Sequence, residues 1–531
     1  MSHLSKYIPV IDLFAGPGGL NEGFSSPVYG QLRFKTALSI EMDQHAYLTL
    51  SLRAFYRYFI YQGKYVPQEY YQYISGDKSI TRERLFEMYP KAADVATKET
   101  ICAELGGDSH KYTEDYFDKR IATALNGVDN WLLIGGPPCQ AYSLVGRSRR
   151  LGGLKNDLKN QDQAEKEFYS DHRHKLYRQY LRILAVHSPS VFVMENVKGI
   201  LSSKLDGEYI FPKIIEDLKH PSESVNIYGW ISTNQHHYHI LSFVTGEEPE
   251  NFLDYLIKSE NYGIPQARHR VILLGIREDI WNNINGRIKP LKEKDQVTLR
   301  DVIQDIPPLR SGFSKRKDGL TEWKAYLEQF EEMSFFTDLP EQVRNTIATY
   351  NRTRRKFQAE RKSSQEYIAP QSSIWETDPD LKNYANHESR THMDTDLYRY
   401  FYTAVMGELN GRSPQLRDFP PELLPNHRNV IRKNVGEEQK FADRFKVQRW
   451  DVPSSTVTSH ISKDGHYFIH PDPLQCRSLT VREAARIQTF PDNYFFEGNR
   501  TQQYHQVGNA VPPYLAKQLA EIVYDILCRA S

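Results

Sequence analysis

Cys139 stands at the end of Gly135-Gly-Pro-Pro-Cys139. Two prolines hold the backbone φ near about −65° on either side of a turn, so the direction of the thiol is set before any ligand arrives. A lone cysteine is more often a small buried hydrophobe than a nucleophile. Its position in a rigid turn after the apolar run Trp131-Leu-Leu-Ile134 favours the nucleophile. A zinc deaminase would continue as P-C-x-x-C, but Tyr142 occupies the third position after Cys139. Glu195 follows a second apolar run, Val191-Phe-Val-Met194; it reads either as a helix cap or as an acid poised by burial to hold or protonate a base ring. Arg268 and Arg270 alternate in Gln266-Ala-Arg-His-Arg270, which puts both on one face of a strand. They can form internal salt bridges, or one can bind a carbonyl and the other a carboxylate or phosphate.

A second group lies near the start of the chain. Asp12-Leu-Phe14-Ala-Gly16-Pro-Gly18-Gly19 follows an apolar run and precedes a short helical stretch, and Glu41 closes the next apolar run. Glycines there permit a ligand to approach the backbone closely. A dinucleotide fingerprint requires a third glycine three residues after Gly18, where Asn21 stands. The segment therefore reads as a tight structural turn or as a site for an adenosine without phosphates, such as S-adenosylmethionine, with Glu41 on the ribose hydroxyls.

The elements that position these groups are short, continuous apolar runs: Tyr7–Phe14, Phe34–Ile40, Trp131–Ile134, Val191–Met194 and Arg270–Ile276. Separated by helical stretches, of which Lys175–Val186 is one, they predict an α/β fold with a parallel sheet covered by helices on both faces. From about 281 to 450 this rhythm fades. That stretch carries 29 Lys and Arg against 25 Asp and Glu, within a chain of 531 residues whose formal charge is only +1. Basic clusters sit at Arg310/Lys315/Arg316/Lys317 and at Arg352/Arg354/Arg355/Lys356; a solvated surface and a polyanion contact are both open readings. Regular character returns after 451. Thr480 and Glu483 have capping-box spacing ahead of an amphipathic helix, and Pro512 begins a terminal one. Near-neutral charge argues against a nucleic-acid partner, but only as an average that ignores where the charges lie. Four dispersed cysteines argue against a disulfide framework or a cysteine-rich zinc site and favour a cytoplasmic protein. No apolar run approaches a membrane span of about 18 residues, and the first residues lack the pattern of a signal peptide.

Taken in order, Asp12–Phe24, Glu41–Asp43, Asp77, Gly135–Ser143, Asp171–Arg182, Met194–Leu201, Asn261–Ile276, Ser478–Gly498 and Tyr504–Gln518 resemble the motif series of the C5-cytosine DNA methyltransferases. The resemblance implies a Rossmann-like S-adenosylmethionine-dependent sheet at 1–280 and 451–531, with a variable target recognition domain at 281–450. It implies Cys139 as nucleophile on cytosine C6, Glu195 on N3 and the amino group, and Arg268 on the carbonyl oxygen with Arg270 beside it, with no metal required. Asp12, Phe14, Gly16, Gly18, Gly19, Glu41, Met42, Asp77, Pro138, Asn509 and Val511 are expected around S-adenosylmethionine. Duplex DNA is expected at Gln140, Ser143, Arg147, Arg149, Arg150, Arg352, Arg354 and Arg355. A stretch at about 80–128 is expected to be an insertion, and a catalytic loop at about 139–170 to close over DNA. A monomer without membrane attachment is expected, in a prokaryotic cell that holds a cognate restriction endonuclease. An RNA cytosine methyltransferase and an inactive DNA-binding relative are the alternatives.

Overall fold

The structure, a computed structural model, describes residues 7–138, 172–205, 207–226, 229, 230, 232, 234–370, 375, 377–425 and 443–530. Cys139, Gln140, Ser143, Arg147, Arg149 and Arg150 therefore lie outside the described residues, with the whole of the expected catalytic loop.

An eight-stranded sheet forms the frame. Its strands are β1 (Ile8–Leu13), β2 (Phe34–Glu41), β3 (Thr100–Cys102), β4 (Leu132–Gly135), β5 (Val191–Val197), β6 (Tyr238–Ser242), β7 (Leu256–Lys258) and β8 (His269–Arg277). The order is β3-β2-β1-β4-β5-β8-β6, with β7 also paired to β8. Strands β1 to β5 are parallel, and β8 is antiparallel to β5, β6 and β7. The expected covering of both faces is what forms, because successive side chains of a strand point to opposite faces and both faces here are apolar. The sheet is mixed, however, and not wholly parallel as expected, since Arg270–Ile276 runs antiparallel within β8. Ile11, Leu13, Leu133, Phe192 and Met194 enter one core with Phe117 and Ile121 of α6 (Glu114–Leu125) and Leu181 and Leu184 of α7 (His172–His187). Val10, Leu132, Ile134, Val191 and Val193 enter the other with Leu20 and Phe24 of α1 (Gly19–Phe24) and Leu515, Leu519 and Val523 of α14 (Pro513–Ala530).

The expected insertion is in part regular structure. After α2 (Gln44–Tyr61), the chain makes α3 (Gln68–Ser75), α4 (Arg82–Met88) and α5 (Pro90–Glu99) before it enters β3. Residues of β3 and α6, within the expected 80–128 insertion, are thus regular members of the sheet layers. Three residues are too short an apolar run to stand out in the sequence. Asp77 follows α3, exposed, and its carboxylate accepts from Ser79 N and Oγ at 2.9 and 2.7 Å. It is not at the end of a sheet strand.

A separate core lies within the 281–450 stretch. Trp323 of α9 (Leu320–Glu328), Ile347 of α10 (Glu341–Arg354) and Leu397, Phe401 and Val405 of α11 (Asp394–Asn410) pack together, joined by Ile469 and Cys476 from beyond its expected boundary. Residues 367–387 turn back to the sheet domain: Asp378 accepts from Tyr71 at 2.9 Å and from Asn493 at 2.7 Å, and Leu381 and Ala385 enter the core of α2 to α5.

The return after 451 behaves as its spacing predicts. Thr480 caps α12 (Val481–Ile487), and Glu483 completes the capping box. Glu483 also takes both ends of a fully buried Arg477 fork at 2.7 Å each, with His470 near by. The Arg477 charge holds the Glu483 carboxyl far below the usual carboxylate range, against strong desolvation. Removing one member leaves the other charge buried and uncompensated. Glu483→Leu is expected to lower the unfolding free energy by about 3–5 kcal/mol, read from denaturant unfolding of wild type and variant side by side.

Candidate active site

The carboxyl ends of the parallel strands fall in register. Leu13 pairs with Ile40 and Gly135, Gly135 with Met194, and Glu41 with Cys102. The next residues along, Phe14, Glu41, Gly136 and Glu195, therefore line one edge of the sheet, where open α/β folds bind ligands.

On the amino-terminal side, Phe14, Gly16 and Gly18 all have positive φ, at 54°, 56° and 88°. The turn folds back on the end of β2: Glu41 accepts from Gly16 N and from Asp43 N, each at 2.7 Å. Burial raises the Glu41 carboxyl above its usual range, opposed by these backbone donors. Met42, beside it, is 59% exposed, an apolar side chain held out at the edge. Gly19 has no room for a side chain, since a Cβ there would stand 2.1 Å from the Val511 carbonyl oxygen. The turn and the segment Asn509–Val511, between α13 (Arg500–Asn509) and α14, are thus in direct contact. Asn509 is exposed, and its Nδ2 lies 3.3 Å from the His505 ring. Sequence reasoning missed the next wall: Ala103 N donates to Glu41 O at 2.9 Å, and the Cys102 thiol lies 3.3 Å from Gln44 Oε1. The end of β3, with Glu104 two residues on, occupies the place expected of Asp77.

Asp12 is buried beneath this turn, at the end of β1. Neither carboxyl oxygen has a hydrogen-bond partner among the described residues, and burial raises its pKa to about 8.

The central strands build the second half. Asn196 Nδ2 donates to Pro137 O at 3.3 Å, which ties the Pro-Pro turn to β5. A Cβ at Gly136 would lie 2.8 Å from Glu195 Oε2, so the glycine lets the carboxylate lie against that turn. Pro138, the last described residue before Cys139, is exposed. Glu195 faces Ile272 of β8 and Val197 faces Arg270. Arg270 is therefore the diagonal neighbour of Glu195 on the same face, within reach of a long side chain, and its Nε stands 2.8 Å from Glu195 Oε1.

Arg268 has a different place. It is 1% exposed, and its Nη1 donates to Val457 O at 2.7 Å and Gly508 O at 3.3 Å. Burial, with the like charge of Arg270, lowers its pKa to about 9. Expected on the cytosine carbonyl, Arg268 is instead committed to main-chain carbonyls, and Arg270 is the arginine at the acid. The difference arises because β8 begins only at His269, so strict alternation does not extend back to Arg268.

The basic clusters also separate. Arg354 is fully buried, with its guanidinium 4.2 Å from the centre of the Phe401 ring and Nη2 on Pro473 O at 3.0 Å; it is a core residue, not a DNA contact. Arg310 is buried against Asp318 and Glu360. Arg352 and Arg355 are on the exposed face of the same helix end, and Arg355 pairs with Glu328 at 3.1 Å.

The C-5 cytosine-specific DNA methylase family matches residues 107–225 and 251–524. The type II methyltransferase M.Bpa9945I of Bacillus paralicheniformis is 34% identical over 98% of this chain and 99% of its own length. M.DdeI of Desulfomicrobium norvegicum, another type II methyltransferase, is 24% identical over 96% of this chain and 87% of its own. The DNA (cytosine-5-)-methyltransferase M.ApeKI of Aeropyrum pernix is 25% identical over 76% and 83%. The chain belongs to the C-5 cytosine-specific DNA methylases.

Two outcomes follow from the arginine geometry. Arg270→Ala is expected to abolish methyl transfer with a smaller loss of Tm than Arg268→Ala, since Glu195 is left at the partly exposed sheet edge. Arg268→Ala is expected to lower stability by several kcal/mol, because it orphans two buried main-chain carbonyls. Equal Tm decreases in the two variants would contradict this division. For Asp12, a raised pKa means that the folded state holds a proton the unfolded state has released. Its contribution is full below about 3.8 and declines as pH rises through about 8. Asp12→Asn should therefore gain stability relative to wild type as pH climbs across that window, measured by thermal melts at several pH values.

Proposed function

We propose that the enzyme transfers a methyl group from S-adenosylmethionine to C5 of a cytosine flipped out of duplex DNA, as the modification partner of a restriction endonuclease that cuts the same site. The observation that carries this reading is the packing of Gly136 and Pro137 on Glu195 and Asn196, which brings the turn leading to Cys139 against the acid. The names of the type II relatives support the restriction–modification role.

Cytosine C5 is a weak nucleophile. Attack of the Cys139 thiolate on C6 forms a C–S bond and pushes the ring electrons toward N3 and the carbonyl oxygen, which makes C5 an enamine carbon. Glu195 faces N3 and the exocyclic amine: it accepts from the amine and, when it carries a proton, donates it to N3 as charge develops there, while Arg270 donates to the carbonyl oxygen. Arg270 also orients Glu195 by their ion pair. When bound, S-adenosylmethionine would supply an electrophilic methyl group to C5 and leave as S-adenosylhomocysteine. The C5 proton then leaves to water, the C–S bond breaks, and Cys139 is released as thiolate. Such a ring cannot be reached within a duplex, hence the flipped base, at a cost of a few kcal/mol.

The turn residues fit the methyl donor. Gly16 leaves backbone open while Gly18 and Gly19 pack the turn on Leu50 and Val511, Glu41 retains lone pairs for two hydroxyls, and exposed Met42 offers an apolar face to a purine. Phe14, the end of β3 at Cys102–Glu104, Pro138, Asn509 and Val511 complete the enclosure. Gln140, Ser143 and the arginines at 147, 149 and 150 are assigned to DNA, with Arg352 and Arg355 on the recognition domain.

Labelled S-adenosylmethionine with duplex DNA and with RNA tests the activity. Transfer to DNA, absent in Cys139→Ala, is expected; transfer to RNA alone would overturn the substrate assignment. Duplex containing 5-fluorocytosine should trap a covalent complex with wild type and none with Cys139→Ala. Replacing Arg147, Arg149 and Arg150 by alanine should flatten the dependence of log affinity on log salt by about 0.9 for each phosphate that the loop no longer neutralises. An unchanged slope would remove that loop from the DNA interface.

A further inference from the structure

Away from the catalytic edge, three metal-binding side chains converge. His220 ends helix α8 (Phe211–Lys219), Glu223 lies in the following short helix Pro221–Asn226, and His237 immediately precedes β6. One donor atom from each lies within 4.8 Å of the others. The two imidazoles meet through their Nδ1 atoms at 2.8 Å, with rings inclined at 70°. In β6, His239 is level with Ile276, which is level with Val191 at the start of β5. The cluster is therefore at the amino edge of the sheet, opposite Glu195.

We propose that His220, Glu223 and His237 form a site for a zinc-like divalent transition metal, which clips the turn after α8 to the entrance of the outer strand β6. Two imidazoles and one carboxylate are a borderline donor set of the kind that zinc selects. Bond lengths of about 2.0–2.1 Å to a tetrahedral ion need the two ring nitrogens to open only slightly from their present separation. A second feature points the same way. The other nitrogen of His220, Nε2, faces Glu216 Oε1 at 3.4 Å, as the outer carboxylate does that orients a metal-bound histidine. Glu216 and His220 are one helical turn apart, so the helix presents this pair in advance. Partial exposure of both histidines, and full exposure of Glu223, leaves an entry path and a fourth position open to solvent. The ion would act on the fold: an additional link between helix layer and edge strand, rather than a participant in methyl transfer.

The test uses the untagged full chain, stripped of metal and titrated with Zn²⁺ against a chromophoric chelator, with Co²⁺ absorption as a reading of nitrogen coordination. One ion per chain and a raised Tm on loading are expected. His220→Ala and His237→Ala should each weaken binding by more than about 100-fold, and Glu216→Gln by about 10–100-fold, the range for outer-shell partners. His236→Ala, adjacent but outside the cluster, should bind as wild type. Methyl-transfer activity of the metal-free variants checks that each is folded. No saturable binding by wild type, or one-to-one binding retained in either histidine variant, would overturn the site and leave the two rings as a simple hydrogen-bonded pair.

Discussion

Buried polar side chains that can be satisfied in only one arrangement hold this enzyme together across its long detour. Gln266 donates to Gln488 Oε1 at 2.6 Å and accepts from Val457 N at 3.0 Å. Arg268 takes the carbonyls of Val457 and Gly508, and Gln488 takes that of Val507 at 2.7 Å. These groups come from the start of β8, the return of the chain after 451, the end of α12 and the end of α13. An orphaned donor in such a site costs about 1–3 kcal/mol, more if charged, so the segments lock in a single register. Arg270 lies two residues beyond Arg268, and the pairing of β8 with β5 places it over Glu195.

The same economy explains the charge. A near-neutral chain suggests no polyanion partner, but the individual arginines are sorted by burial. Arg310, Arg354, Arg477 and Arg482 are internal, where their forks satisfy main-chain carbonyls and carboxylates. Arg352 sits at the surface of the helix whose buried face carries Arg354. Lys and Arg counted together cannot separate a guanidinium that closes a core from one that faces solvent, and only the latter is free to meet phosphate.

The second domain is also less separate than its composition suggests. Its 367–387 segment returns to the sheet domain, where Asp378 collects Tyr71 and Asn493 and Trp375 donates to Thr489 O at 2.7 Å. These contacts tie the 281–450 stretch to α3 and to the segment that follows α12.

Sequence alone determined the class of fold and marked the glycine turn and the two acids at the strand ends. Continuous apolar runs become central strands because both sheet faces are covered, and glycine and proline turns mark strand ends because few other residues fit there. Hence β1, β2, β4, β5 and β8, the turn at Phe14–Gly19, Glu41, Glu195 and the Thr480–Glu483 cap were all legible. Tertiary structure decided what short or buried elements do. The three residues of β3 gain their strand from pairing with β2, which brings Cys102, and not Asp77, level with Glu41. Arg268 and Arg270 are one chemical type two positions apart; cross-strand register put one over a carboxylate, and a chain segment nearly 190 residues later took the other. Local spacing carries no information about partners that distant, because their positions are set by packing of the whole.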